Sequence, residues 1–341
     1  MSKPALKGCG DDLAVIFATQ YQPFTIDMAA IIKVENLSKN FGEIKAVDHI
    51  SFTVEEGDVY GFLGQNGAGK STTIRMLLTL IQPGSGNIQI FGKNLSEQRK
   101  AILSKTGAVI EKPDLYKYLT ALENLSLFAK LSGLYLKKDE LMRQLHRVGL
   151  AERAHHKVKT YSQGMKQRLG IAVALVHDPQ LIILDEPTNG LDPQGIADIR
   201  NLIIHLSRDL KKTVLVSSHL LSEVEQIASR MLIIDKGKKL VEGEVRQLLD
   251  PEHVVTEIGT TDDESALLFI RQSEWNNFLQ SSNSRKMIFE LHKNQVPLLN
   301  KELVDNGIGI LSIQRLNSLE EYFLSLTSGK QNVEINTDRT V

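Results

Sequence analysis

The residues best suited to chemistry form a glycine-rich loop after a short apolar run. This loop fits the phosphate-binding pattern GxxxxGK[ST] and consists of Gly64, Gln65, Asn66, Gly67, Ala68, Gly69, Lys70 and Ser71. It follows a predicted strand, Val59–Leu63, and opens a helix predicted over 71–80, which is the context that the pattern requires. Backbone N–H groups in such a loop turn inward around phosphate oxygens, and the positive end of the helix faces the same anion. The alternative is a glycine-rich turn ahead of an amphipathic helix, which the Gly-Lys-Ser triplet disfavours.

Three side chains at the end of the loop are of the types that a bound triphosphate requires. Lys70 can neutralise the β- and γ-phosphates, and the Ser71 hydroxyl can ligate Mg²⁺. Thr72 adds a second hydroxyl that can contact the α-phosphate. The loop therefore predicts a site for a nucleoside triphosphate together with Mg²⁺.

Two acidic residues end an apolar run further along the chain. Residues 181–184 carry no charge and are followed by Asp185 and Glu186. Asp185 at the strand tip can hold Mg²⁺ directly or through water. Glu186 can polarise the attacking water, a form of general-base help worth ~10²–10⁴ in rate. The alternative, two solvated acids after a core strand, is disfavoured because the chain also has the phosphate loop.

Four further motifs occur around the loop and the acidic strand. Phe41 stands ahead of the phosphate loop, just before a glycine. Residues 161–168 read YSQGMKQR and residues 189–193 read NGLDP, on either side of the acidic strand. His219 follows a second charge-free run, residues 214–217. In this order they resemble the adenine-stacking aromatic, the LSGGQ signature, the D-loop and the switch histidine of ATP-binding-cassette (ABC) ATPases. For Phe41 an ordinary place in the core is the alternative.

The resemblance implies roles for these residues across two subunits. In ABC ATPases two subunits meet head to tail and enclose ATP between one phosphate loop and the other subunit's signature. Ser162 and Gly164 would therefore cap the γ-phosphate that the partner chain binds. Asp192 would organise the dimer interface. His219 would hydrogen-bond the γ-phosphate and hold the attacking water in register with Glu186.

The chain departs from the family pattern at three positions. Gln163 replaces the second glycine of the signature, and Met165 replaces its final glutamine. Glu111 stands where the family carries the Q-loop glutamine. A carboxylate there can reach Mg²⁺ or the attacking water, although it adds a negative charge beside a phosphate. Glutamate at this place resembles the subgroup that exports bacitracin and lantibiotic peptides; a neutral exchange of similar shape is the alternative.

Strand and helix patterns alternate from residue 31 onward and predict an α/β fold. The resemblance covers residues 31 to about 243. It implies a P-loop NTPase of the ABC cassette type, with a RecA-like core, an antiparallel β subdomain and a helical subdomain. After about residue 250 the pattern changes and predicts a small α+β domain. The predicted limits are 1–30 for a disordered N-terminal extension, 31–245 for the nucleotide-binding domain, 112–178 for its helical subdomain, 250–328 for the C-terminal domain and 329–341 for a frayed tail.

Individual elements follow from the same patterns. The runs 181–184 and 214–217 are typical of strands buried on both faces of a parallel sheet. The other predicted strands are 31–34, 50–54, 88–91, 231–234, 254–258, 287–291 and 309–313. Helical spacing is predicted over 113–148, 264–279, 295–306 and 318–326.

Composition narrows the classes of function. The chain has 40 Lys and Arg against 41 Asp and Glu, so a net charge of −1 gives no global attraction to nucleic acid. The single cysteine, Cys9, excludes an internal disulfide. No stretch approaches the roughly 18–20 apolar residues that span a bilayer. Asp11 and Asp12 precede a short apolar piece, residues 13–18, whereas a secretory signal has a basic start and a longer apolar run. Met28 is hypothesised to be the true start.

The sequence thus predicts an ATPase subunit that uses ATP and Mg²⁺ to drive a separate multi-span membrane permease. It would work at the cytoplasmic face of the membrane, paired with a second copy of itself or a paralogous cassette. Glu111 favours export of peptide antibiotics, lipids or other amphipathic compounds, with import as the alternative direction. Residues 317–323 resemble the Ser-Leu-Glu-x-x-Phe ending of single-cassette export ATPases, although any amphipathic terminal helix could look alike.

A non-transport ABC protein acting on nucleic acid or the ribosome is the main alternative. Ribosome-acting members carry two cassettes, and DNA-repair members insert a long coiled coil. This chain has one phosphate loop, and Lys70 and Asp185 lie too close in sequence for such an insertion. A regulatory subunit with a damaged site is a third option, but Glu186 and His219 are also present. We therefore expect a transporter subunit with no nucleic-acid partner.

Overall fold

Three sheets organise the part of the chain that the structure describes. The computed structural model describes residues 30–248, 253–283 and 286–316. Its strands are β1 (Ala30–Phe41), β2 (Ile44–Glu55), β3 (Val59–Leu63), β4 (Ser85–Ile90), β5 (Lys93–Asn94), β6 (Thr106–Val109), β7 (Leu181–Asp185), β8 (Thr213–Ser218), β9 (Arg230–Asp235), β10 (Lys238–Glu244), β11 (His253–Thr260), β12 (Leu279–Asn283), β13 (Lys286–His292) and β14 (Ile310–Leu316).

Helices cover and connect these sheets. The α-helices are α1 (Lys70–Leu77), α2 (Arg99–Leu103), α3 (Ala121–Leu131), α4 (Lys138–Arg147), α5 (Gln163–Ala174), α6 (Pro193–Arg208), α7 (Leu221–Glu225), α8 (Val245–Leu248), α9 (Asp263–Gln272) and α10 (Val296–Asp305). Short 3₁₀ helices occupy Ala151–Arg153, Val158–Thr160 and Glu274–Phe278. In the described ranges, none of these helices has the length and apolar character needed to cross a membrane.

The central sheet has the strand order β10-β9-β3-β8-β7-β6. Strands β9, β3, β8, β7 and β6 are parallel, and β10 pairs antiparallel with β9. Every residue of β3, β7 and β8 is buried, which confirms the prediction drawn from their charge-free runs. Because parallel strands end at one edge of the sheet, the segments that follow these three strands meet there. This edge carries the phosphate loop, the acidic pair and His219.

A second, antiparallel sheet packs near the phosphate loop. Its order is β2-β1-β4-β5, and β1 ends at Phe41. One hydrophobic core joins residues of this sheet, such as Ile32 and Ile50, to Ile74 of α1 and Phe62 of β3. The helix that follows the phosphate loop is therefore held between two sheets. The first strand is longer than the predicted 31–34, because its apolar alternation continues past a bulge toward Phe41.

Helices α3, α4 and α5 pack together. The continuous helical pattern predicted over 113–148 is wrong in part, because residues 113–120 and 132–137 lie outside α3 and α4. The apolar faces of the three helices share one core, which includes Leu125, Leu145 and Leu169 and continues into Leu184 of the central sheet. A capping box starts α3, in which Thr120 accepts from the backbone N–H of Glu123. This core connects the α5 N-terminus to the same sheet that carries the acidic pair.

The C-terminal region folds around its own antiparallel sheet, of order β12-β13-β11-β14. Trp275 is buried in its core, and its Nε1–H donates to Glu302 Oε2 at 2.7 Å. The helix predicted over 264–279 is wrong beyond Gln272. Ser273 adopts an extended backbone and its hydroxyl donates to the Ile270 carbonyl, which ends α9. A 3₁₀ helix then delivers the indole to the core.

The domain limits, and the features placed near the two ends of the chain, remain sequence predictions. The exact domain limits 1–30, 31–245, 112–178, 250–328 and 329–341 follow from the sequence pattern alone. Cys9, Met28, the helix predicted over 318–326 and the ending at 317–323 lie outside the described residues.

Asn124 provides a test of how the segment before α3 is fixed. The side chain is fully buried, accepts from Tyr116 N–H at 2.8 Å and donates to the carbonyls of Tyr116 and Thr120. We expect Asn124→Ala to lower the free energy of unfolding by about 2–4 kcal/mol, because buried backbone groups lose their partners. Denaturant unfolding measures this. Asn201→Ala, at an exposed helical position, should change the free energy of unfolding by less than about 0.5 kcal/mol. Equal effects of the two variants would contradict the stabilising role of Asn124.

Candidate functional site

The phosphate loop connects the end of β3 to the start of α1. Gln65, Asn66 and Gly67 are exposed at its rim, whereas Gly69 is buried beside β2. Gly69 has φ +109°, and a Cβ there would lie 2.4 Å from the carbonyl oxygen of Ala46. Only glycine fits this position. The loop thereby keeps the shape that turns its N–H groups toward a ligand, and no acidic side chain occupies the first turn of α1.

Lys70 is a buried cation at the centre of the loop. It is 5% exposed, and its Nζ donates to the carbonyls of Gly64 at 2.6 Å and Gln65 at 3.2 Å. The same Nζ lies 3.1 Å from Oε1 of Glu186. Ser71 and Thr72, in the first turn of α1, remain partly exposed. The ammonium group is thus held where a phosphate in the loop would meet it.

Asp185 has one satisfied and one unsatisfied oxygen. It ends β7 opposite Ser217 of β8 and is 1% exposed. Its Oδ1 accepts from the Ser217 hydroxyl at 2.5 Å, while Oδ2 is buried without a hydrogen-bond partner. A buried carboxylate oxygen without a partner is costly. Such an oxygen fits a hard cation or its water ligand, the chemistry that Mg²⁺ prefers.

Glu186 joins the phosphate loop to His219. Its Oε2 lies 2.7 Å from His219 Nδ1, and its Oε1 faces the Lys70 ammonium. The backbone at Glu186 is left-handed, with φ +49°, and its N–H donates to Ser217 Oγ at 2.9 Å. Three side chains from three different loops therefore converge within hydrogen-bonding distance, as their motifs predicted.

Glu111 is held apart from this cluster. It follows β6 with a left-handed backbone, φ +55°, and its side chain is 65% exposed. Its carboxylate pairs with Arg75, which lies one turn after Ser71 on α1. An exposed pair of this kind contributes only about 0–1 kcal/mol. The structure thus places Glu111 near the metal-ligand candidates on α1 but in contact with an arginine.

The remaining predicted residues occupy the ends of secondary-structure elements. Phe41 is 48% exposed at the end of β1, and Lys39 Nζ lies over its ring, 5.4 Å from the ring centre. Ser162 caps α5 by accepting from the Met165 N–H at 3.2 Å, and Gly164 lies in the first turn. Asp192 caps α6 in the same way, accepting from the backbone N–H three residues later. Both helix N-termini offer further N–H groups to an anion.

Two contacts of the site were missed at the level of sequence. Ser217 was predicted only as part of a strand, although it bonds both acidic residues. A serine at the end of an otherwise apolar run was the available signal, but its partner depends on the register between β7 and β8. Arg75 was assigned no role. Among the described residues, no group of three His, Cys, Asp or Glu side chains forms a metal site by itself.

Known proteins are similar to this chain over most of its length. A family model described as ABC transporter matches residues 47–189. The chain is 44% identical over 304 residues to the bacitracin transport ATP-binding protein BcrA of Bacillus licheniformis, covering 89% of this chain and 99% of that protein. It is 40% identical over 214 residues to the lantibiotic transport ATP-binding protein SrtF of Streptococcus pyogenes, covering 63% and 91%.

Solved structures share the fold. A dimeric ATP-binding cassette in a post-hydrolysis state, bound to ADP and Pi, matches with a TM-score of 0.57 at 27% identity, over 63% of this chain and 99% of that one. An ATP-binding cassette of an ABC transporter in its ADP conformation matches with a TM-score of 0.58 at 27% identity, over 63% and 91%.

The contacts of Ser217 predict a stability effect. We expect Ser217→Ala to lower the free energy of unfolding by roughly 1–3 kcal/mol, because Asp185 Oδ1 and the Glu186 N–H both lose a buried partner. Denaturant unfolding of the purified chain measures the change. Ser222→Ala, at an exposed position of α7, should stay within about 0.5 kcal/mol of the original protein. A Ser217→Ala protein as stable as this control would contradict a stabilising role for the hydrogen bonds of Ser217 with Asp185 and Glu186.

Proposed function

This chain belongs to the ABC transporter family, and from that premise we propose a mechanism by which its site hydrolyses ATP to drive a separate membrane permease. The chain is an ATPase, and its cassette fold matches the α/β architecture expected from the sequence. The observation that carries the proposed mechanism is the convergence of Lys70, Glu186 and His219 beside the phosphate loop. These side chains bring a phosphate-neutralising cation, a water-polarising carboxylate and an orienting imidazole to one place.

ATP binding would rearrange the contacts of Lys70. The phosphates enter a loop formed by Gly64, Gln65, Asn66, Gly67, Ala68 and Gly69. Lys70 then exchanges two backbone carbonyls and Glu186 for the β- and γ-phosphates. Ser71 and Asp185 would hold Mg²⁺, which shields phosphate charge when bound. Thr72 adds a hydroxyl toward the α-phosphate.

Hydrolysis would use the carboxylate that Lys70 releases. Glu186 polarises a water and accepts its proton as the oxygen bonds to the γ-phosphorus and the bond to ADP breaks. The products are ADP and phosphate. His219 Nδ1, 2.7 Å from Glu186, holds the carboxylate in place, and the ring can also contact the γ-phosphate. General-base help of this kind accelerates a reaction by ~10²–10⁴.

Two cassettes would complete each site. The signature residues Ser162 and Gly164, at the start of α5, would close over ATP bound by the partner, and Phe41 would stack on adenine. Asp192 caps α6 beside this surface and would organise the contact. A dimeric cassette with ADP and Pi among the similar structures supports dimerisation. The partner would be a second copy or a paralogous cassette, in head-to-tail contact.

The cargo proposal rests on the relatives. They include transport proteins for bacitracin and a lantibiotic, and a linearmycin resistance protein of Bacillus subtilis that is 36% identical over 87% of this chain and 98% of its own length. We infer export of peptide antibiotics, lipids or other amphipathic compounds from the cytoplasmic face of the membrane. These names set aside the alternative of a nucleic-acid or ribosome-acting ABC ATPase.

The helical region from 113 to about 177 would meet the permease. Three aromatic side chains are exposed in it: Tyr116 at 54%, Tyr118 at 79% and Tyr135 at 86%. Exposed aromatic residues grouped in one region favour a protein contact. Glu111 lies just before this region and pairs with Arg75 of α1, the helix that follows the phosphate loop. A change in the phosphate loop can therefore alter the position of Glu111.

Glu186→Gln is the main test of the hydrolytic proposal. We expect ATP affinity to be kept, turnover to fall by ~10²–10⁴ and a closed dimer to accumulate, because the amide cannot accept the proton. Turnover of Mg²⁺-ATP and size-exclusion chromatography measure these effects. Lys70→Ala is the matched variant that should weaken nucleotide binding instead. Near-normal turnover of Glu186→Gln would remove Glu186 as the base.

The same Glu186→Gln protein identifies the partner. Affinity capture from native membranes with ATP present, followed by mass spectrometry, should recover a multi-span permease. Recovery of ribosomes or DNA-bound proteins without a permease would contradict the transport assignment.

Glu111→Gln tests the link between the site and the permease. The substitution removes the charge that pairs with Arg75 and keeps the shape of the side chain. We expect the ratio of transport to ATP hydrolysis to change in reconstituted vesicles, with ATP affinity nearly constant. An unchanged ratio would count against a coupling role for Glu111.

A further inference from the structure

One nitrogen atom of an arginine and one oxygen atom of a glutamate are buried without partners, and both residues line the same small cavity. The cavity, of about 10 Å³, is lined by Arg200 of α6 and Glu223 of α7, with Thr188 at its wall. Both side chains are partly exposed, but Arg200 Nε and Glu223 Oε1 are buried without a hydrogen-bond partner. The two side chains form no ion pair with each other, and in the described ranges the Arg200 side chain makes no hydrogen bond or ion pair elsewhere.

The unpaired atoms require a partner of water size. Buried polar groups without a hydrogen bond are rare and costly, and those of charged side chains more so. A water needs roughly 10–15 Å³ of such space and two or more polar neighbours. The cavity reaches the lower end of that range, and its lining residues supply one unpaired donor, Arg200 Nε, and one unpaired acceptor, Glu223 Oε1.

Glu223 also makes a direct contact that bears on the catalytic side chains. Its Oε2 accepts from the Thr188 hydroxyl at 2.5 Å. Thr188 lies two residues after Glu186, and Glu223 lies four residues after His219. The same two segments are therefore joined twice, once by the Glu186–His219 contact and once by the Thr188–Glu223 hydrogen bond.

We propose that Thr188, Glu223 and Arg200 form a positioning clasp for Glu186 and His219, in which one buried water bridges Arg200 Nε to Glu223 Oε1. The hydrogen bond from Thr188 fixes the distance between the two segments. Arg200, through the water, compensates the charge of Glu223 and ties both segments to α6, the helix that Asp192 caps. The proposal rests on the proposed function, because it assigns Glu186 and His219 to one reaction.

The clasp gives a reason for its residue types. A valine at position 188 would fill the same volume but could not donate to Glu223. A glutamine at position 223 would keep its shape but remove the negative charge that the bridge brings to Arg200 Nε, the buried atom of that side chain. Neither side chain needs to touch ATP, so the clasp acts on the rate of the reaction through alignment rather than on nucleotide affinity.

The first test compares Thr188→Val with Thr188→Ser in the purified full chain. We expect kcat of the valine variant to fall about tenfold, equal to ~1.4 kcal/mol, with the affinity for a fluorescent ATP analogue within twofold of the original. The serine variant retains the hydroxyl and should keep kcat. A valine variant with unchanged kcat, or two variants with equal losses, would overturn the positioning role.

The second test addresses the water directly. A crystal structure of the full chain at high resolution should show one water within hydrogen-bonding distance of Arg200 Nε and Glu223 Oε1, and Glu223→Gln should lower the melting temperature. In Arg200→Met with Glu223→Gln, which removes both charges, the melting temperature should recover. An empty cavity, or no recovery, would overturn the bridge. An error in the ATPase assignment itself would give a different result: the original protein would hydrolyse ATP no faster than its Glu186→Gln variant.

Discussion

A buried ammonium group must be surrounded by groups that replace water, and Lys70 imposes this requirement on the rest of the site. Two loop carbonyls and the Glu186 carboxylate meet it. The loop can offer those carbonyls only in the compact shape that glycine permits at position 69, where any Cβ would collide with Ala46. The carboxylate can arrive only because β7 ends next to β8 and β3 at one sheet edge. The burial of this one side chain thus depends on sheet topology, loop geometry and charge placement together.

This arrangement makes the nucleotide a competitor for existing contacts. Lys70 and Glu186 form an ion pair in this structure, although Glu186 Oε1 makes no hydrogen bond, and in the proposed mechanism the phosphates replace this carboxylate and two carbonyls. Replacement would free the carboxylate at the moment when an attacking water is needed. Binding and activation would thereby be linked by charge balance. Asp185 has one oxygen held by Ser217 and one without a partner, so its position does not depend on Lys70.

The motifs that supply the site residues could be identified from the sequence because their residue types are unusual in their surroundings. A lysine among glycines and two acids after an uncharged run predicted a nucleotide site, and four further motifs in order carried the resemblance to the family. Contacts that depend on strand register were not readable, such as that of Ser217 with Asp185. The pairing of Arg75 with Glu111 joins two elements that no local pattern connects. Trp275 interrupts an apparently continuous helical pattern because its burial, a tertiary effect, is stronger than helix propensity.

Both acids at the mouth of the site sit on left-handed backbone, at φ +49° for Glu186 and +55° for Glu111. Each such residue costs roughly 1–2 kcal/mol relative to an ordinary backbone conformation. Glycine would relieve that strain at either position but would remove the carboxylate. Under the proposed mechanism, folding stability is given up for activity at these two positions. Selection for thermostability without regard to turnover would then favour glycine there, as at the seven other described non-glycine residues with positive φ.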